Sequence, residues 1–175
     1  MIDFAQLQAD LTGWVRTASG LDVNHVIPQN DGGPRPSGQY ATVRVFDPVK
    51  IGHDPYSMTT NLLDDTSVDI NYSGLRQIMV GINVYRGDAL GAMEKLKSSL
   101  DRVTIQDYFR AKDIGIINTS ETRDLSEVVN GSYEERRQTD FFFFVTNNDT
   151  ETVEAIETVK GTNLIDGSSY TVTSV

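Results

Sequence analysis

The chain has 175 residues, 25 acidic against 15 basic side chains, a net charge of −10 and no cysteine. That length makes about one domain with room for a core, and the apolar and charged fractions, 38% and 23%, suit a folded globular protein. Disulfides and zinc–thiolate sites are excluded, no run approaches the roughly 18 apolar residues of a membrane helix, and no basic cluster is present to neutralise phosphates.

Met1-Ile2-Asp3-Phe4 lacks the basic-then-apolar order of a secretory signal, and the missing cysteines suit a reducing cytoplasm. Phe4, Leu7, Leu11, Trp14 and Val15 then recur at helical spacing with Gly20 as the stop, which predicts a helix laying one face on a sheet. Pro28, Gly32, Gly33, Pro34, Pro36 and Gly38 predict a loop over 28–39. Tyr40 to Phe46 alternates Ala41, Val43 and Val45 against Thr42 and Arg44, a strand with one wet side. From Asp47 to Asp65 the pattern is irregular, a long connection of the kind that makes contacts.

Val68, Ile70 and Tyr72 alternate, as do Ile78, Val80, Ile82 and Val84, with Ser73-Gly74 between them. Period-2 patterning predicts a hairpin whose three-residue loop, Ser73 to Leu75, puts every β-branched residue on one face. Asp88 is placed to cap a helix with Ala89, Met93, Leu96, Leu100 and Val103 on its face. Thr104 with Asp107 predicts the cap of a second, short helix packing Ile105, Tyr108 and Phe109, and Ile114 to Asn118 is a short strand. After a polar stretch, Gly131 to Val145 ends in four phenylalanines; apolar residues at every position predict a central strand covered on both faces. Thr152 to Lys160 is ambiguous: Val153, Ile156 and Val159 fit a helix, while the Thr and Val content favours a strand, the reading preferred. Asp166-Gly167 predicts a turn between 163–165 and 170–172, a hairpin too small to stand alone. No internal repeat is present. The sum is an α+β domain over 1–160, an antiparallel or mixed sheet with helices on one side, and a C-terminal hairpin arm over 161–175.

Chemistry is hard to place on this chain. His25 and His53 have no ligand-spaced partner, no Gly-x-Ser-x-Gly elbow occurs, and Gly32-Gly33 runs into a proline and not a helix N-terminus. The acidic pairs Asp64-Asp65 and Glu134-Glu135 suggest a hydrolase or a metal site, yet adjacent carboxylates point apart. Asp64 and Asp65 read as loop and cap residues, and Glu134-Glu135 as solvated ion pairs with Arg136-Arg137. No catalytic residue, metal or cofactor is expected; the protein reads as non-enzymatic.

Several stretches resemble a known family. Ile27-Pro28-Gln29-Asn30, Gly33-Pro34-Arg35-Pro36 leading into Tyr40-Ala41-Thr42-Val43, Asp69-Ile70-Asn71-Tyr72 followed by Arg76-Gln77, and the junction from Val80 to Ala89 are similar to bacteriophage neck and tail terminator proteins. The resemblance runs over about residues 1 to 160. It implies a virion protein, made in the host cytoplasm, that forms a homo-oligomeric ring, usually a hexamer. Such a ring caps the tail tube, stops tail polymerisation and docks the tube protein, and in some tails the sheath, to the stopper or head-completion protein. DNA passes through its channel without specific binding, and no membrane is involved. The family has no catalytic residues to carry over, so the interface residues are physical choices: Pro34, Arg35 and Pro36 in a stiffened loop, Tyr56, Met58, Leu62 and Leu63 in the long connection, and Tyr170 and Val172 on the arm. The rival readings are a head–tail adaptor, a chaperone or other binding module, and a small acidic hydrolase.

Overall fold

The computed structural model describes every residue except 30–31, 61–66, 130, 155–157, 163–164, 166–168 and 174–175; for 60, 158–162, 169–170 and 172–173 it describes the backbone alone. The fold is α+β with a mixed sheet and three α-helices among the described residues. The helices are α1 (Phe4–Ser19), α2 (Ala89–Ser99) and α3 (Val103–Arg110), with a 3-10 turn at Val23–His25. The strands are β1 (Val26–Pro28), β2 (Tyr40–Val45), β3 (Val49–Lys50), β4 (Tyr56–Thr60), β5 (Ser67–Tyr85), β6 (Ile114–Thr119), β7 (Arg123–Asp124), β8 (Glu127–Val129), β9 (Ser132–Glu134), β10 (Arg136–Glu154), β11 (Thr158–Thr162) and β12 (Ser169–Thr173). The chain divides into two compact units, residues 1–53 with 74–147, and 54–73 with 148–175. The two long strands, β5 and β10, contribute residues to both.

In the first unit the sheet runs β1-β2-β5-β10-β6, with β3 beside β5 and β7 beside β10. β1 lies parallel to β2, while β2–β5 and β10–β6 are antiparallel. The three helices line one face. α1 starts where the Asp3 carboxylate accepts the Gln6 N–H at 3.0 Å and stops at Gly20, whose φ of 75° few other residues tolerate. Leu7, Leu11, Trp14, Val15 and Ala18 are buried, whereas Phe4, at the exposed start of the helix, is not. Asp88 caps α2 by accepting the Gly91 N–H at 2.9 Å. Trp14 packs edge-on against Phe109, Phe141 and Phe143 at 5.4, 5.2 and 5.8 Å, and its Nε1–H donates to the Ser99 hydroxyl at 3.0 Å. Each such ring pair adds about 0.5–1.5 kcal/mol beyond the area it buries.

The second unit contains β4, antiparallel to the 68–72 part of β5, and the hairpin β11–β12. Side-chain bonds join β5 to the end of β10: Thr150 Oγ1 donates to Asn71 Oδ1 at 2.9 Å, Thr152 Oγ1 to Asp69 Oδ1 at 2.7 Å, and the Tyr72 hydroxyl to Glu151 at 3.1 Å. All three pairs are exposed to solvent.

Several expectations need correction. The hairpin at Ser73-Gly74 does not form; β5 is one strand of 19 residues. Gly74 is not among the glycines with positive φ, so it makes no hairpin turn. The two alternating stretches find partners in 40–60 instead: 68–72 pairs with β4, 76–77 with β3 and 80–85 with β2. The irregular 47–65 segment therefore holds two strands. The wet side of β2 is dry at Thr42, which shares a cavity wall with Ile27, Pro28, Gln29 and Arg35. β1, β7, β8 and β9 are further short strands that no alternating pattern in the sequence marks. Arg102, not Thr104, occupies the cap of α3, with no side-chain hydrogen bond, and Val103 is exposed. Of the four phenylalanines, Phe141 and Phe143 are buried under the helices, while Phe142 and Phe144 alternate to the other face and are only partly covered. The strand nonetheless is central, between β5 and β6. The C-terminal hairpin begins at Thr158 and not 163, and its turn at 166–167 lies outside the described residues.

Candidate assembly interface

The face of the first sheet away from the helices is polar and aromatic. Tyr40 and Tyr85, directly opposite on β2 and β5, stack with centroids 4.5 Å apart and planes within 4°. Arg86 lies over Tyr40 and Arg136 over Tyr85, each a cation–π contact. Burial raises the Tyr40 pKa, opposed by Arg35. Further along, Phe46 lies against Gly81, where a Cβ would meet its ring at 3.1 Å, and Arg44 stacks on Phe46. Buried Asp140 is held by Arg123.

One end of this face is a charge node. Glu134, with a side chain only 11% exposed, takes Arg86 at 3.2 Å and Arg35 at 3.7 Å. Arg86 also donates to the Pro36 carbonyl at 3.1 Å. Its backbone N–H donates to the Glu135 carbonyl at 2.8 Å, and its φ is 63°. A left-handed, non-glycine residue is strained and persists only where its surroundings hold it. Of the solvated pairs expected between Glu134-Glu135 and Arg136-Arg137, only Glu135–Arg137 forms, at 3.5 Å, and it is partly buried. Residues two apart share a side of an extended chain, but Glu134 is claimed by Arg86, and Arg136 turns to Asn83.

The sheet's far edge is β6. Between it and α2–α3 runs a groove of about 880 Å³ whose apolar lining includes Leu100, Phe109, Ile114 and Ile116. An end strand exposes unpaired backbone groups, a ready template for another chain. β8 and β9 form a separate two-stranded arm whose facing Val128 and Tyr133 are about 70% exposed, at 71% and 69%.

The chosen interface residues fall in different places. Pro34 and Arg35 are exposed and Pro36 partly covered, in the loop fastened by Arg86. Tyr56 and Met58 are exposed on β4 of the second unit. Tyr170 and Val172 are on β12, where only the backbone is described, and Leu62 and Leu63 lie outside the described residues. The structure brings Arg35 and Pro36 to the charge node and leaves Tyr56 and Met58 in the other unit. Sequence reading missed Arg86, Glu134 and Arg136; the nearest signal was the bracketing of β2 and β5 by the tyrosines 40 and 85. His25 bonds the Ser37 carbonyl at 3.1 Å, and among the described residues no cluster of acidic and histidine side chains is placed for a metal. Nor is any described helix long and apolar enough to cross a membrane.

Open sheet edges, hairpin arms and apolar side chains left at the surface are the features of a subunit built to be joined to others. The family model for the phage neck terminator protein matches residues 5–168, and the chain belongs to that family. It is thus a structural protein of the phage neck, a component of the virion. No curated protein matches the chain.

Proposed function

We propose that this protein forms a ring, a hexamer, that caps the tail tube at the phage neck, ends tail polymerisation and joins the tail to the head-completion protein. The family match over 5–168 carries the reading. The physical features support it: a sheet whose path ends at β1 and β6 offers two different edges, and a contact between unlike surfaces closes into a ring when the rotation allows. The exposed Tyr56 and Met58, the loop at Pro34, Arg35 and Pro36, and the hairpin β11–β12 with Tyr170 and Val172 are the joints, the hairpin lying as an arm on a neighbour. With a net charge of −10, the channel wall repels DNA and lets it slide. The role is structural and involves no catalysis.

The test is tube assembly in vitro. Tail tube protein polymerised with this protein should give tubes of arrested length bearing a ring at one end by negative-stain microscopy. Tubes of unchanged length with bare ends contradict the proposal.

A further inference from the structure

The charge node carries more positive charge than its neighbours balance. Arg35, Arg86 and Arg136 meet there, and Glu134 alone among the described carboxylates serves the first two; Glu135 is taken by Arg137. Arg136 is half-buried, and its partners are neutral. Asn83 Oδ1 accepts from its Nε and Nη2 at 3.2 and 3.0 Å, and the Tyr85 ring lies 5.2 Å away. A partly desolvated cation held only by an amide and a ring gains from a counter-ion.

Arg35 and Arg136 line one cavity of about 410 Å³, together with Gln29, Tyr40, Thr42 and Tyr85. Thr42 is 7% exposed, and its hydroxyl is buried without a hydrogen-bond partner. A buried hydroxyl without a partner on a cavity wall is a donor that an oxygen acceptor can use. Arg86, strained and bonded to the Pro36 carbonyl, anchors the loop that presents Arg35.

We propose that this pocket binds a carboxylate carried by an acidic peptide segment of a docking protein. A planar carboxylate fits the guanidinium fork, the pocket's polar lining orients it, and an oxygen acceptor satisfies Thr42. Nucleic acid fits poorly, since phosphate-backbone affinity accumulates over many cations and the pocket is lined by two arginines, Arg35 and Arg136. The inference stands on the pocket and does not depend on the ring.

Isothermal titration of the full chain with an acetylated, amidated tetra-glutamate peptide tests it, with inorganic phosphate and a single-stranded oligonucleotide at the same ionic strength as competing arms. Saturable peptide binding is expected, weakened at least roughly tenfold by Arg136→Gln and to a lesser degree by Thr42→Val. The Thr42→Val protein should melt no lower than the wild type. Arg110→Gln, the same charge change on exposed α3, should leave the affinity unchanged. Absence of saturable binding, an equal loss in Arg110→Gln, or binding of phosphate or oligonucleotide without the peptide overturns the proposal. If Arg136→Gln does not fold, Thr42→Val decides, and an unchanged affinity there overturns it.

Discussion

The two units of this chain are held by different physics. Every residue of the buried apolar cluster, from Leu7 to Val145, belongs to the first unit. Among the described residues of the second, no apolar side chain is fully buried; Ser67 is the residue that is. The described residues of that unit are joined by backbone ladders and by exposed pairs such as Tyr72 with Glu151 and Asn71 with Thr150. Exposed pairs contribute little each, about 0–1 kcal/mol, and two-stranded hairpins are marginal in water. Among the described residues, the apolar packing that stabilises a fold therefore lies in the first unit.

Substitutions break this contrast in graded fashion. Trp14→Ala or Phe143→Ala should cost about 3–5 kcal/mol by chemical denaturation. Phe142→Ala, on the partly covered face of the same strand, should cost clearly less. A comparable loss there would mean that the open face is as well packed as the helical one. Asp88→Ala removes the cap of α2 and should cost about 0.5–2 kcal/mol, read as a lower melting temperature. In the second unit, Tyr72→Phe and Met58→Ala should move the stability of the isolated chain by no more than about 0.5 kcal/mol, with any deficit seen in assembly.

The smallest effect is acidic. Hydrogen bonds from the Ser126 hydroxyl and N–H, helped by Arg137, hold the Asp124 carboxyl below its ordinary value of 3.8. A carboxyl lowered on folding contributes fully above the unfolded value and loses that contribution as pH falls through the folded one. The stability gap between wild type and Asp124→Asn should therefore be widest near neutrality and close in acid. A gap that widens in acid refutes this assignment.

What was legible in the sequence is what is local. The α1 face, the Asp88 cap and the Gly20 stop depend on neighbours within a few positions. The Ser73-Gly74 misreading shows the limit: both alternating stretches were correctly extended, but whether they pair with each other or with 40–60 is a tertiary choice. Arg86 and Glu134 are 48 positions apart, as the bond from Arg86 Nη2 to Glu134 records, so no spacing rule reveals the node. The four phenylalanines misled differently, since composition hides that a strand's two faces can meet unlike surroundings. Tyr56 and Met58 were legible as exposed apolar residues in the 47–65 segment; that they lie on a strand was not.

Light scattering on the size-exclusion peak, with negative-stain images of the same fractions, decides whether the proposed ring forms. A closed ring of fixed stoichiometry, six copies, is expected at high concentration or on addition of tail tube. A chain that stays monomeric under both conditions contradicts it.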